Sequence, residues 1–230
     1  MNEINQLDPW LIIQNNEFEK AIKLIDLDFE KNRNPFVLQN KIFALFHLNK
    51  YEDAIILSEK LIGFQKAESE NAFKSSGIAN WILGNTAKAM EVWQQSQNCL
   101  YKDASGGVEI QLFLYFSGIK TGQDSLKAEA VKTVKKLLKS KRATNWPGPL
   151  GHYLINDITD IELFSYVSAI PIFKERQLCQ AHFVSAIKIL ETGNKDEYYK
   201  KLMDCISYGP NSYLEQMYYL AKGELETSKL

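Results

Sequence analysis

The chain has 230 residues, 45% of them hydrophobic and 24% charged, with a formal net charge of −1. That length is enough for a full core in one large domain or two small ones, and the composition excludes a disordered or collagenous chain. Near-neutral charge argues against bulk nucleic-acid binding, though not against a local basic patch. Twelve Gly and six Pro fall below the usual shares of roughly 7% and 5%, which favours helices over a many-turned β-sandwich.

Helical periodicity begins with Phe18, Ala21, Ile22 and Ile25, which share one face with Glu17, Glu19, Lys20 and Lys23 between them. Asn34-Pro35 breaks it, and a new apolar stripe opens at Phe36, Leu38, Ile42 and Leu45. Further breaks fall at Asn49-Lys50, Gly84-Asn85, Gly106-Gly107, Gly122-Gln123, Pro147-Gly148-Pro149, Gly193-Asn194 and Gly209-Pro210. About thirteen helix-sized segments are expected along the chain, none with the alternation of a strand. Short helices joined by short links, repeated this often, predict an all-α solenoid of helix hairpins. Two regions are expected, 1–103 and 104–230, either continuous or bent near Gly106-Gly107.

Three cysteines, Cys99, Cys179 and Cys205, are widely spaced and odd in number, which points to a reducing compartment rather than a disulfide framework. The start of the chain is acidic and polar where a signal peptide is basic and then apolar, and the longest apolar runs, such as 112–116, are far short of the roughly 20 residues of a membrane span. A cytoplasmic protein with no membrane association is expected. Lys greatly outnumbers Arg, which occurs only at 33, 142 and 176; with the many Asn this suggests a bacterial source.

The segments Phe18–Ile22, Tyr51–Ile55 and Thr86–Met90 align on Ala21, Ala54 and Ala89, separated by 33 and 35 residues. A small residue at this point lets the backbones of two crossing helices approach closely. Just upstream, Asn49 and Gly84 can take a left-handed cap. With these residues the chain resembles the tetratricopeptide-repeat (TPR) family, whose period is about 34 residues. The resemblance covers 16–100 and 176–224. Downstream it rests on Gly193, Cys205 and Gly209-Pro210, whereas 104–170 keeps only the hairpin rhythm. Tyr198 stands where the alanine belongs, and Ser58 replaces an aromatic residue. The C-terminal half, through Trp146-Pro147, Tyr153-Leu154, Ala181-His182-Phe183 and Glu224-Leu225, is similar to bacterial TPR lipoprotein adaptors. Cytosolic relatives with the same rhythm include TPR-type immunity proteins that neutralise toxins. The resemblance implies a right-handed superhelix that binds a protein partner, such as a toxin domain or another effector.

Chemistry-bearing constellations are few. Cys179 and His182 lie one helical turn apart with Glu175 on the same face, the one conceivable zinc or thiol nucleus; it lacks a fourth ligand, an oxyanion donor and an orienting acid. Gly118-Ile119-Lys120-Thr121-Gly122 lacks the spacing and preceding strand of a phosphate loop. Asp157, Asp160 and Glu162 fit the start of a helix, where capping accounts for them. No cofactor and no catalysis are expected. From Lys127 to Arg142 seven basic residues oppose one acid, with Lys132, Lys135, Lys136 and Lys139 on one face. A solvated outer face explains them best; an acidic partner comes second, and a nucleic-acid backbone is disfavoured for want of stacking aromatics.

In TPR hairpins the first helix lines a concave groove. Carried onto this chain by the alanine alignment, the groove positions are Trp10 and Ile13, then Gln39, Phe43, Phe46 and His47, then Lys74, Ile78 and Trp81. Large rings supply desolvated anchors, so a partner helix laid among them is the expected occupant. The competing expectation is that the superhelix closes tightly, or that the C-terminal hairpins fold back, making these rings ordinary core.

Overall fold

The computed structural model describes residues 8–228. Thirteen α-helices and no sheet strand are present among them. The helices are α1 (Pro9–Gln14), α2 (Phe18–Asn32), α3 (Val37–His47), α4 (Tyr51–Phe64), α5 (Glu70–Ile82), α6 (Thr86–Gln95), α7 (Val108–Thr121) and α8 (Asp124–Leu137). They continue with α9 (Gly148–Leu154), α10 (Asp160–Ser165), α11 (Pro171–Glu191), α12 (Lys195–Ile206) and α13 (Gln216–Thr227).

Each helix from α1 to α8 packs on the next, as do α11 on α12 and α12 on α13. The links are short because one left-handed residue turns the chain, Asn49 at φ 56° after α3 and Gly84 at φ 81° after α5. The aligned alanines Ala21, Ala54 and Ala89 are all fully buried. Gly77 of α5 plays the same part from the facing helix: a β-carbon there would overlap the indole of Trp93 in α6. Ser58, in the aromatic position, is buried with its hydroxyl donating to the Ala54 carbonyl at 2.7 Å.

Helices α9 and α10 are short and pack against α11, with α9 also against α7 and α8. One apolar cluster runs from Ile25 to Ala221, so the segments before and after residue 103 share a core. The connection that shapes the molecule is α13. Besides α12 it packs on α5 and α11, while the 3-10 turn Pro210–Leu214 before it reaches α1, where the Gln14 amide donates to Asn211 at 2.9 Å. The chain thus folds back across its own first hairpins.

Gly223 permits that return, since any β-carbon there would overlap the side chain of Ile82 at the end of α5. Gly223→Val is expected to destabilise the protein by about 2 kcal/mol or more through overpacking. In a chain of this size that lowers the melting midpoint by several degrees, measured by circular dichroism at 222 nm; an unchanged midpoint would mean that α13 is not tightly seated.

Candidate functional site

The inward faces of α3 and α5 carry the residues that the TPR register assigns to a groove, and α13 covers most of them. Phe46 and Ile78 are fully buried, and Phe43 and Trp81 nearly so. Phe43 stacks on Tyr219 of α13 with centroids 5.4 Å apart. Trp81 donates its indole N–H to Glu224 at 2.8 Å. His47 is stacked on Phe18 and edged by Tyr213; burial, with Lys222 nearby, lowers its pKa to about 3. Ile13 is buried and Trp10 half-buried in a small cluster with Ala21 and Ala44. An open aromatic groove is therefore corrected to an intramolecular core: the partner expected on these rings is the chain's own α13.

The cover is incomplete. Towards the N-terminal ends of α3 and α5 a cavity of about 540 Å³ stays open, and the remaining assigned residues, Gln39 and Lys74, line it with Phe43. Five further segments close around it. The 99–107 loop supplies Tyr101, Lys102 and Asp103, α7 supplies Glu109, and the segment before α9 supplies Trp146. Phe173, Arg176 and Gln180 come from α11, and Glu215 and Gln216 from the start of α13.

Local structure fixes the charged groups. Tyr101 bridges to the strand-like residues before α5, donating its N–H to the Glu68 carbonyl at 2.8 Å and accepting from the Glu70 N–H at 3.1 Å. That holds the loop so that Asp103 caps α7, accepting from the backbone N–H groups of Ser105, Gly107 and Glu109 at 2.8 to 3.0 Å. The Asp103 N–H in turn donates to Glu70 at 2.8 Å. Lys74 reaches Glu109 at 2.6 Å and Glu70 at 3.1 Å. Burial alone would lower the lysine pKa, but Glu109 and Glu70 outweigh it and raise it. On the opposite wall the Arg176 guanidinium bonds Glu215. One amide joins the two halves: Gln180 donates to Glu109 at 2.8 Å and to Glu215 at 2.6 Å, and accepts from the Trp146 indole.

Glu70, Asp103 and Glu109 bring carboxylate oxygens within 4.8 Å of one another, the one such trio among the described residues. The Lys74 ammonium already bridges two of its members, so it supplies the cation there. The Cys179–His182 pair forms no such group. The Cys179 thiol is fully buried 3.5 Å from the Cys205 sulfur, His182 contacts the Tyr208 hydroxyl at 2.8 Å, and Glu175 accepts from Asn211. Lys120 and Gly122 sit at the end of α7, with Gly122 turning the chain at φ 68°. Glu162 makes a capping box with Thr159, while Asp157 contacts His152 and Asp160 accepts from Ser185. Lys132, Lys135, Lys136 and Lys139 are exposed, with Lys132 3.5 Å from Glu129.

Arg176, Asp103 and Glu215 escape sequence reasoning: Asp103 lies between the two repeat-like stretches, and Arg176 and Glu215 lie in the downstream one, for which no groove positions are assigned. No protein-family model matches the chain, and no curated protein matches it.

Trp81→Ala is expected to cost about 3–5 kcal/mol of stability in urea unfolding of the isolated protein; near-native stability would reopen the groove. A second expectation concerns pH. Burial, opposed by Arg176, lifts the Glu215 carboxyl from 4.5 to about 7. The folded state therefore binds this proton more tightly than the unfolded one, and the stability gained at low pH is lost as pH rises from about 4.5 through 7. Glu215→Gln, neutral throughout, should lack that loss, so wild-type stability falls relative to the variant across this window. Parallel pH profiles from urea titrations would remove Glu215 as the titrating group.

Proposed function

We propose that the chain is a non-catalytic, TPR-like helical-repeat module that binds a segment of a partner protein at the mouth of this cavity. The buried alanines, the left-handed turns and the consecutive hairpins support the TPR reading residue by residue. A superhelix whose first helices face inward accounts for the convergence of α3, α5, α7 and α11 on one cavity. Tyr198, the residue in place of an alanine, supports a closed variant of that superhelix, because its hydroxyl extends to Glu224 of α13 at 2.9 Å.

The observation that carries the binding function is the rim. Tyr101 and Phe173 line the cavity while remaining 62% and 46% exposed. Large apolar rings held in solvent around a concave polar site are the composition of an interface hot spot. Ile170 and Ile172, also exposed, continue the apolar surface beside Phe173. The lining itself suits recognition better than reaction: it offers carboxylates, amides and charge-paired cations, with the lysine held protonated. Within this class a bacterial cytosolic adaptor, or an immunity protein masking a toxin domain, fits the family resemblance.

The test is affinity capture from the native host, identification of the bound protein by mass spectrometry, and titration of that purified protein against Tyr101→Ala/Phe173→Ala. Loss of about 100-fold or more in affinity with unchanged melting is expected, since anchors of this kind are each worth about 2 kcal/mol. Full affinity in the double variant would place the interface elsewhere.

A further inference from the structure

The cavity is short of positive charge. Glu70, Asp103, Glu109 and Glu215 line it, against Lys74 and Arg176 within it. The third lining cation, Lys102, turns its ammonium to the Gln97 carbonyl on the exposed side at 2.7 Å. Lys74 is divided between Glu70 and Glu109, and Arg176 is committed to Glu215. Between Glu109 and Glu215 stands a neutral amide, the Gln180 side chain, donating to both. Glu70 gives an independent sign of the same deficit: it is only 2% exposed, yet its Oε2 has no hydrogen-bond partner. A buried carboxylate oxygen left unpaired is costly, and a cation brought near it recovers that cost.

We infer that the cavity receives a basic side chain, an arginine above all, presented by the partner segment. This rests on the binding function proposed above and names the chemistry of its central contact. A guanidinium is planar, offers donors in a fork that spans two carboxylates, and stacks on aromatic faces. The site supplies both halves of that recognition, with carboxylates at its floor and the rings of Trp146, Tyr101 and Phe173 around them. An acidic tail is disfavoured by the same charges. Burial raises the pKa values of Glu70, Asp103 and Glu215, as expected of carboxylates that lack a full complement of cations.

The experiment titrates blocked pentapeptides of alanine with a central arginine, citrulline or glutamate into the full-length protein. The readout is the Trp146 indole N–H signal in proton–nitrogen NMR, assigned with Trp146→Phe. The arginine peptide should shift it saturably, the isosteric but uncharged citrulline peptide should bind about tenfold more weakly or worse, and the glutamate peptide should not bind. Glu109→Gln and Glu215→Gln should each weaken the arginine peptide. Equal shifts from citrulline or glutamate peptides would overturn the basic occupant while leaving segment binding intact. A silent Trp146 signal with all three peptides would overturn it too, and separately from the rim test, which reads the whole partner. If magnesium or calcium chloride alone reproduces the shift and blocks the peptide, a metal ion takes the place and the inference fails.

Discussion

Glu224 is 5% exposed and accepts from three helices at once: the Trp81 indole of α5 at 2.8 Å, the Lys120 ammonium of α7 at 2.7 Å and the Tyr198 hydroxyl of α12 at 2.9 Å. An ionised carboxylate is tolerated in an apolar interior only when its oxygens are satisfied in this way, and removal of a partner leaves an uncompensated buried charge. The arrangement pins α13 to α5 and α7, both far from it in sequence, as well as to its neighbour α12. Where α13 lies, the rings of α3 and α5 are core; where it begins, at Glu215 and Gln216, the cover stops and the cavity opens. The site thus opens where α13 stops covering α3 and α5.

The two buried polar clusters differ in how they are satisfied. Around Glu224 two neutral donors and one ammonium serve one carboxylate, and the cluster closes on itself. Around the cavity four carboxylates stand against the buried Lys74 and the half-buried Arg176, with an amide between two of the acids and one oxygen unpaired. The first pattern rigidifies a fold. The second leaves polar capacity unfilled, and partly satisfied networks are energetically expensive at rest, which is the ground on which the proposed binding stands. The exposed rings stand at the second cluster and not at the first.

Much of this fold was legible in the residues. Period and breaks located many of the helices, though not the links after α4, α9 and α10, and the alignment of Ala21, Ala54 and Ala89 picked out small residues that are fully buried. The same register assigned Gln39 and Lys74 to the inward face, where they line the cavity. It could not tell what would lie over Phe46 and Trp81, because a register states which way a side chain faces and nothing about distant chain that reaches it. A signal did exist at Tyr198. A large polar ring in a slot meant for alanine needs a partner beyond its own hairpin, and that partner is Glu224. The cavity walls from 101 to 103 follow no repeat, and those from 173 to 180 stand at the very edge of one with no inward positions assigned, so only the folded chain brings them together.

The return of α13 also changes how the polypeptide acquires its structure. An array that touches only its neighbours can settle unit by unit as it emerges from the ribosome. Here Trp81 must wait for a residue 143 positions later. Until Gln216–Thr227 has been made, the faces bearing Phe43, Phe46 and Trp81 stand open to water and to other sticky surfaces. Closure of so long a loop carries its own entropic cost and a slow step, even in an all-helical chain whose local contacts form quickly. Apolar faces that wait for a distant cover are the surfaces through which incomplete chains aggregate, and α13 supplies that cover from within the same chain.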